Sequence, residues 1–146
     1  MPYQTLPLGT HGAIVELLVG VNIARRDNLT RSGFPVPPRR RVRAQVDTGT
    51  SFTAIDASVL ASFGIGSTET VEIRTPSPTG ASQFFRRFPV SIGLNREGLE
   101  MLLTSLEVVE CVFAPDEDIQ AMLGRDVLEH CLFVYDGQNR TFSLAF

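Results

Sequence analysis

Apolar residues along this chain gather in short runs separated by turn formers, a pattern of strands more than of helices. Residues 12–23, aliphatic and β-branched from Ile14 to Ile23, predict a strand bent at Gly20. Arg41 to Val46 alternates and predicts a strand that runs directly into Asp47-Thr48-Gly49-Thr50-Ser51, with another short strand at Phe52 to Ile55. Asp56 stands where an N-cap belongs, helical spacing follows as far as Phe63, and Gly64 lies just past the end, so a short helix is predicted. Residues 70–75 and 83–92 flank a small, polar segment from Pro76 to Ser82, which predicts a long β-hairpin. One or two strands between Glu100 and Phe113, a short amphipathic helix over 125–131, and a hairpin of 132–135 with 141–146 complete the pattern. Residues 25–41 interrupt it: Gly33, Pro35, Pro37, Pro38 and a close run of arginines predict a loop or arm.

With 146 residues the chain suits one domain with a real core and is too short for two of ordinary size. A composition 43% hydrophobic and 20% charged places it among globular proteins rather than disordered ones. The net charge of −3 gives no overall field for nucleic acid, although all 13 positive charges are Arg and seven lie between Arg25 and Arg43. That basic stretch carries one aromatic residue, Phe34, so stacking on bases is poorly served and no nucleic-acid partner is expected.

No apolar run is long enough to span a membrane, and the first residues lack the basic and apolar regions of an export signal. A cytoplasmic protein with no membrane partner is expected, with Cys111 and Cys131 reduced. Neither cysteine lies in a nucleophile elbow, and His11 and His130 have no metal-ligand spacing around them, so no metal or other cofactor is expected.

The chemistry resides around Asp47. Asp, Thr and Gly are ordinary turn residues, and the tripeptide alone is a weak signal. Its context sharpens it: an apolar strand with Ala44 and Val46 enters the turn, Thr50 and Ser51 leave it, and a hairpin follows. Farther along, Met122 and Leu123 precede Gly124 at the start of a short helix that opens Arg125-Asp126. Asp47-Thr48-Gly49-Thr50 together with Met122-Leu123-Gly124 resembles the retropepsin-like aspartic peptidases, over roughly residues 12 to 146 by element order. The ending from Gly124 to Leu128 and the terminal hairpin are more similar to the bacterial and ubiquitin-linked branches than to the viral enzymes.

The resemblance implies an all-β fold, a small closed barrel of the retropepsin type with one or two short helices. It also implies an aspartic endopeptidase with Asp47 as the catalytic residue. No second Asp-Thr/Ser-Gly is present, so a homodimer would bring two Asp47 carboxylates together around a water, with an extended peptide or protein as substrate. By the same resemblance Thr48 bonds across the dimer, Gly49 turns its N–H towards the carboxylate and Thr50 holds the outer carboxylate oxygen. Met122, Leu123 and Gly124 pack beneath the loop, and Arg125 and Asp126 form structural ion pairs. Thr75, Pro76, Ser77, Pro78, Thr79, Gly80, Ala81 and Ser82 form a flap over the substrate. A second reading is a retropepsin-shaped dimerisation or peptide-binding module without useful turnover; Asp47 separates the two, because a binder needs no ionisable pair.

Overall fold

The structure, a computed structural model, describes residues 3–74, 76, 78–96 and 98–146. Ten strands and three short α-helices follow in the order β1 (Tyr3–Pro7), β2 (Ile14–Val21), α1 (Ile23–Arg31), β3 (Arg40–Val46), β4 (Ala54–Asp56), α2 (Ala57–Ala61), β5 (Glu69–Arg74), β6 (Ser82–Arg96), β7 (Leu99–Cys111), β8 (Ala121–Leu123), α3 (Arg125–Leu128), β9 (Leu132–Asp136) and β10 (Thr141–Ala145). Six of the strands close on themselves in the order β2-β3-β8-β4-β7-β6, with β6 pairing back to β2. The result is the closed all-β barrel that the sequence predicts. A closed ring leaves no free edge among its members.

Period-two patterning explains the ring. In β2, Val15, Leu17 and Val19 are buried while Glu16 faces out; in the antiparallel β3, Val42 and Ala44 are buried between exposed arginines. Arg41 reaches Glu16 across the pair at 2.6 Å, one of several exposed ion pairs that decorate the barrel. Val90, Ile92, Leu94, Val108 and Leu123 fill the interior from the remaining strands, and Val59 and Leu60 of α2 close it from one side. Asp56 caps α2, its carboxylate accepting from the Ser58 N–H at 2.8 Å.

Two elements lie outside the ring. Strand β5 extends β6 into the predicted hairpin, from Glu69↔Arg87 to Arg74↔Ser82. The termini form a separate antiparallel sheet, β1-β10-β9, whose inner face buries Phe142 and Leu144. Its outer face leaves Tyr3, Leu132 and Val134 largely exposed.

The stretch expected as a loop or arm is half helix. Helix α1 begins at Asn22, whose side chain accepts from the Arg25 N–H at 2.9 Å. It ends with Gly33 at φ +75°, the Gly33 N–H on the Thr30 carbonyl and the Phe34 N–H on the Leu29 carbonyl. None of its residues is buried, so capping and backbone bonds hold it rather than an apolar face. Residues 32–39 then run without regular structure to β3.

Candidate active site

Strand β8 sets the geometry of the Asp47 loop. It lies parallel to β3, which enters the loop, and antiparallel to β4, which leaves it. The Asp47 N–H bonds to the Leu123 carbonyl at 3.0 Å, and the Val46 N–H bonds to the Ala13 carbonyl at 2.9 Å. Leu123 is fully buried and Met122 half-buried. Gly124 is required by space: a Cβ there would lie 2.7–2.9 Å from the backbone of Phe52 and Thr53.

Asp47 is half-buried, and its carboxylate is held from one side, where the Gly49 N–H donates to Oδ1 at 2.8 Å. The Thr50 hydroxyl does not hold the outer oxygen; it donates to the Phe52 carbonyl at 3.1 Å, a bond that tightens the turn. Thr48 is exposed, and its hydroxyl has no partner among the described residues, while its carbonyl accepts from Arg125 Nη1 at 2.9 Å.

Arg125 and Asp126 form no ion pair with each other or with other described residues. Neighbours on a helix point in different directions. Arg125 reaches forward to Thr48 and, through Nη2, to the Ser51 hydroxyl at 2.7 Å. Asp126 turns inward: its carboxylate accepts from the Thr53 N–H at 2.8 Å, the Thr53 hydroxyl at 2.6 Å and the Val127 N–H at 2.9 Å. Buried Thr53 in turn accepts from the Gly124 N–H at 3.0 Å. Thr53 was missed in the sequence, where nothing local distinguishes it from the other hydroxyls after the loop.

A cavity of about 470 Å³ opens beside Asp47 and Thr48, walled by His11, Gln45, Phe133 and Tyr135. Gln45 ties the His11 turn to β3 by donating to the His11 carbonyl at 2.9 Å. The aromatic wall comes from β9, whose Phe133 lies 86 residues after Asp47 (133 less 47), and no sequence signal linked the two. Two other hollows, of about 350 and 470 Å³, flank Pro37 and share no residue with this one. Among the described residues, the only acidic group in them is Glu100, ion-paired with Arg39.

Of the expected flap, Thr75 and Ser77 lie outside the described residues; Pro76, Pro78, Thr79, Gly80 and Ala81 are exposed, and Ser82 begins β6. Glu69, Val71 and Ile73 of β5 share a hairpin face with Gln83, Phe85 and Arg87 of β6. The Arg87 guanidinium lies 5.0 Å from the centre of the Phe52 ring, so this face is turned towards the end of the Asp47 loop.

Both cysteines are free. Burial pushes the Cys131 thiol up to about 11, which leaves it protonated and a poor nucleophile at neutral pH. Among the described residues, no three His, Cys, Asp or Glu side chains gather as a metal site, and no helix is long and apolar enough to cross a membrane.

No family model matches the chain, and no curated protein matches it. Among solved structures it is similar to a retropepsin-like aspartic protease from Rickettsia conorii, at 14% identity with a TM-score of 0.57, over 99% of this chain and 91% of that one. The fold is of the retropepsin type. At this level of identity the likeness extends to the architecture, and the chemistry rests on the residues of this chain.

Proposed function

We propose that the chain is one subunit of a homodimeric aspartic endopeptidase acting in the cytoplasm, with Asp47 from each subunit forming the catalytic pair. The observation that carries this reading is an Asp-Thr-Gly turn, on a retropepsin-type barrel, whose half-buried Asp47 lines an open cavity and takes a backbone N–H on one carboxylate oxygen. The need for a second subunit is supported by Asp126, the other carboxylate near the loop. Both its oxygens are taken by Thr53, so the chain offers no free partner for Asp47 there. Thr48 with its unpartnered hydroxyl, and the exposed Leu132 and Val134 on edge strand β9, give a second copy polar and apolar surface to meet.

Two carboxylates brought together across a two-fold axis cannot both ionise comfortably, so they share one proton. The ionised one takes a proton from a water held between them. The protonated one donates to the scissile carbonyl oxygen, and a tetrahedral intermediate forms with no covalent adduct to the protein. Val71, Ile73 and Phe85 on the loop-facing side of the hairpin suit an extended peptide lying between flap and loop.

Cleavage of a diverse peptide pool from acidic to neutral pH, over a wide range of protein concentration, tests the reading. Wild-type protein is expected to cleave with a rate rising more steeply than linearly in concentration, and Asp47→Asn to lose cleavage. A demonstrably dimeric wild type that cleaves nothing in the pool would instead favour a peptide-binding module.

A further inference from the structure

Arg87 makes contacts that none of the roles above uses. It sits on β6 at the base of the flap hairpin, directly across from Glu69 of β5 on one side and Val109 of β7 on the other. Its Nη1 donates to Glu69 at 2.9 Å, its Nη2 reaches the Glu107 carbonyl at 3.3 Å, and its guanidinium stacks over Phe52. One side chain thus touches both flap strands, the next strand of the barrel, and the last residue before the Thr53–Asp126 network. Phe52 is fixed in its turn, since its carbonyl accepts from Thr50 and its backbone abuts Gly124.

An ordinary surface ion pair would not demand this arrangement. The Glu69 partner is more than half exposed, and such a pair is worth little on its own. The Arg87 side chain is by contrast only 19% exposed, and its buried Nε has no acceptor among the described residues. Leaving that donor unmatched is unfavourable. What the position uses is the shape of the group: a planar fork that reaches two strands at its tips while its face lies on a ring, which a lysine cannot reproduce. The neighbouring Arg86 holds Glu110 in a two-pronged pair at 2.8 Å and lies 5.5 Å from the centre of the Phe88 ring, contacts that do not reach the loop.

We propose that Arg87 is a positioning residue that couples the flap hairpin to the Asp47 loop through Phe52. With Arg87 in place, the hairpin is referenced to the loop that carries the carboxylate, and flap height and loop position change together. This consequence for catalysis rests on the peptidase reading, but the coupling itself does not.

The test compares wild type with Arg87→Met, Arg87→Lys, Phe52→Leu and the Arg87→Met/Phe52→Leu double variant. Amide hydrogen exchange is followed at Val71, Ile73 and Phe85 in the hairpin, at Thr48 to Thr53 in the loop, and at Leu17 in the barrel as a control. Arg87→Met is expected to speed exchange in both hairpin and loop by about tenfold while leaving Leu17 unchanged, and Arg87→Lys to recover only part of the protection. The double variant is expected to match the worse single variant, since both remove one contact. Steady-state cleavage is expected to show KM raised about three- to tenfold by Arg87→Met with kcat nearly held, as for a group that acts on closure of the cover. Additive effects in the double variant, acceleration confined to the hairpin, or equal acceleration at Leu17 would overturn the proposal. Wild-type protein that cleaves nothing would count against the peptidase reading, while the exchange data would still decide the coupling.

Discussion

Around Asp47 the loop is bound to its surroundings from several directions: β8 holds its backbone, Arg125 holds Thr48 and Ser51, and Asp126 and Gly124 converge on Thr53. The β5–β6 hairpin, which meets the end of the loop where Arg87 lies over Phe52, is different. Beyond its ladder and the Arg86 and Arg87 contacts at its base, it presents exposed side chains such as Phe84, 72% exposed. The loop is cross-braced by residues far apart in sequence, whereas among the described residues the hairpin's side-chain contacts to the rest of the fold gather at its base, at Arg86 and Arg87. On the proposed function, a carboxylate that is to meet a partner's with small tolerance needs the first arrangement, and a cover that is to admit a peptide needs the second.

The comparison can be broken by substitutions that treat the two regions alike. The largest effect on folding is expected from Gly124→Ala: its Cβ would meet the Phe52 and Thr53 backbone at under 3 Å, in a place where neither side can yield. A loss of about 3 kcal/mol or more, read by denaturant unfolding, follows from overpacking of this kind. Next is Thr53→Val, which is close in shape but leaves the Gly124 N–H and one Asp126 oxygen without the hydroxyl. About 2–3 kcal/mol is expected, because buried groups lose a charge-assisted bond. If either variant were as stable as wild type, the loop would not be braced as described.

Asp56→Ala should cost less, about 1 kcal/mol at neutral pH, as for loss of a helix cap. Burial works to raise the Asp56 carboxyl, but the Ser58 hydroxyl and the Phe113 and Ser58 N–H groups outweigh it and hold it below its ordinary value. A lowered folded value means that the carboxylate stabilises the fold fully above the unfolded value of 3.8 and loses this effect as pH falls through the folded value. The gap between wild type and Asp56→Ala is therefore expected to narrow in acid below about pH 4, where unfolding curves at a series of pH values would show it. The smallest effect is expected from Phe84→Ser in the hairpin, within about 0.5 kcal/mol, since an exposed side chain away from such networks contributes little. A large loss there would erase the contrast between loop and hairpin.

How far the sequence could lead follows the same division. The strand into Asp47, the strand out of it and the capped α2 were legible because alternation, an Asp N-cap and a closing Gly act within a few residues. Strand β1 was not: Tyr3–Pro7 is mixed in character and becomes a strand by pairing with β10, Thr5 meeting Ser143 across 138 residues of chain. Helix α1 lacks the apolar stripe that marks most helices, and the prolines and arginines that follow pointed to a loop. At the site, Asp47, Gly49 and Gly124 were singled out by the resemblance of the two short motifs that carry them. The bond from Thr50 to Phe52, the inward turn of Asp126 and the Phe133–Tyr135 wall depend on which surfaces the barrel brings together, and no spacing in the chain records that.

The most direct test of the central claim is to mix wild-type protein with increasing amounts of Asp47→Asn at constant total concentration, allow subunits to exchange, and follow peptide cleavage. If each active unit needs one Asp47 from each of two copies, mixed pairs are inactive and the rate falls as the square of the wild-type fraction. A rate that falls in simple proportion to the wild-type fraction would mean that one chain carries the whole reaction, and would contradict the shared pair.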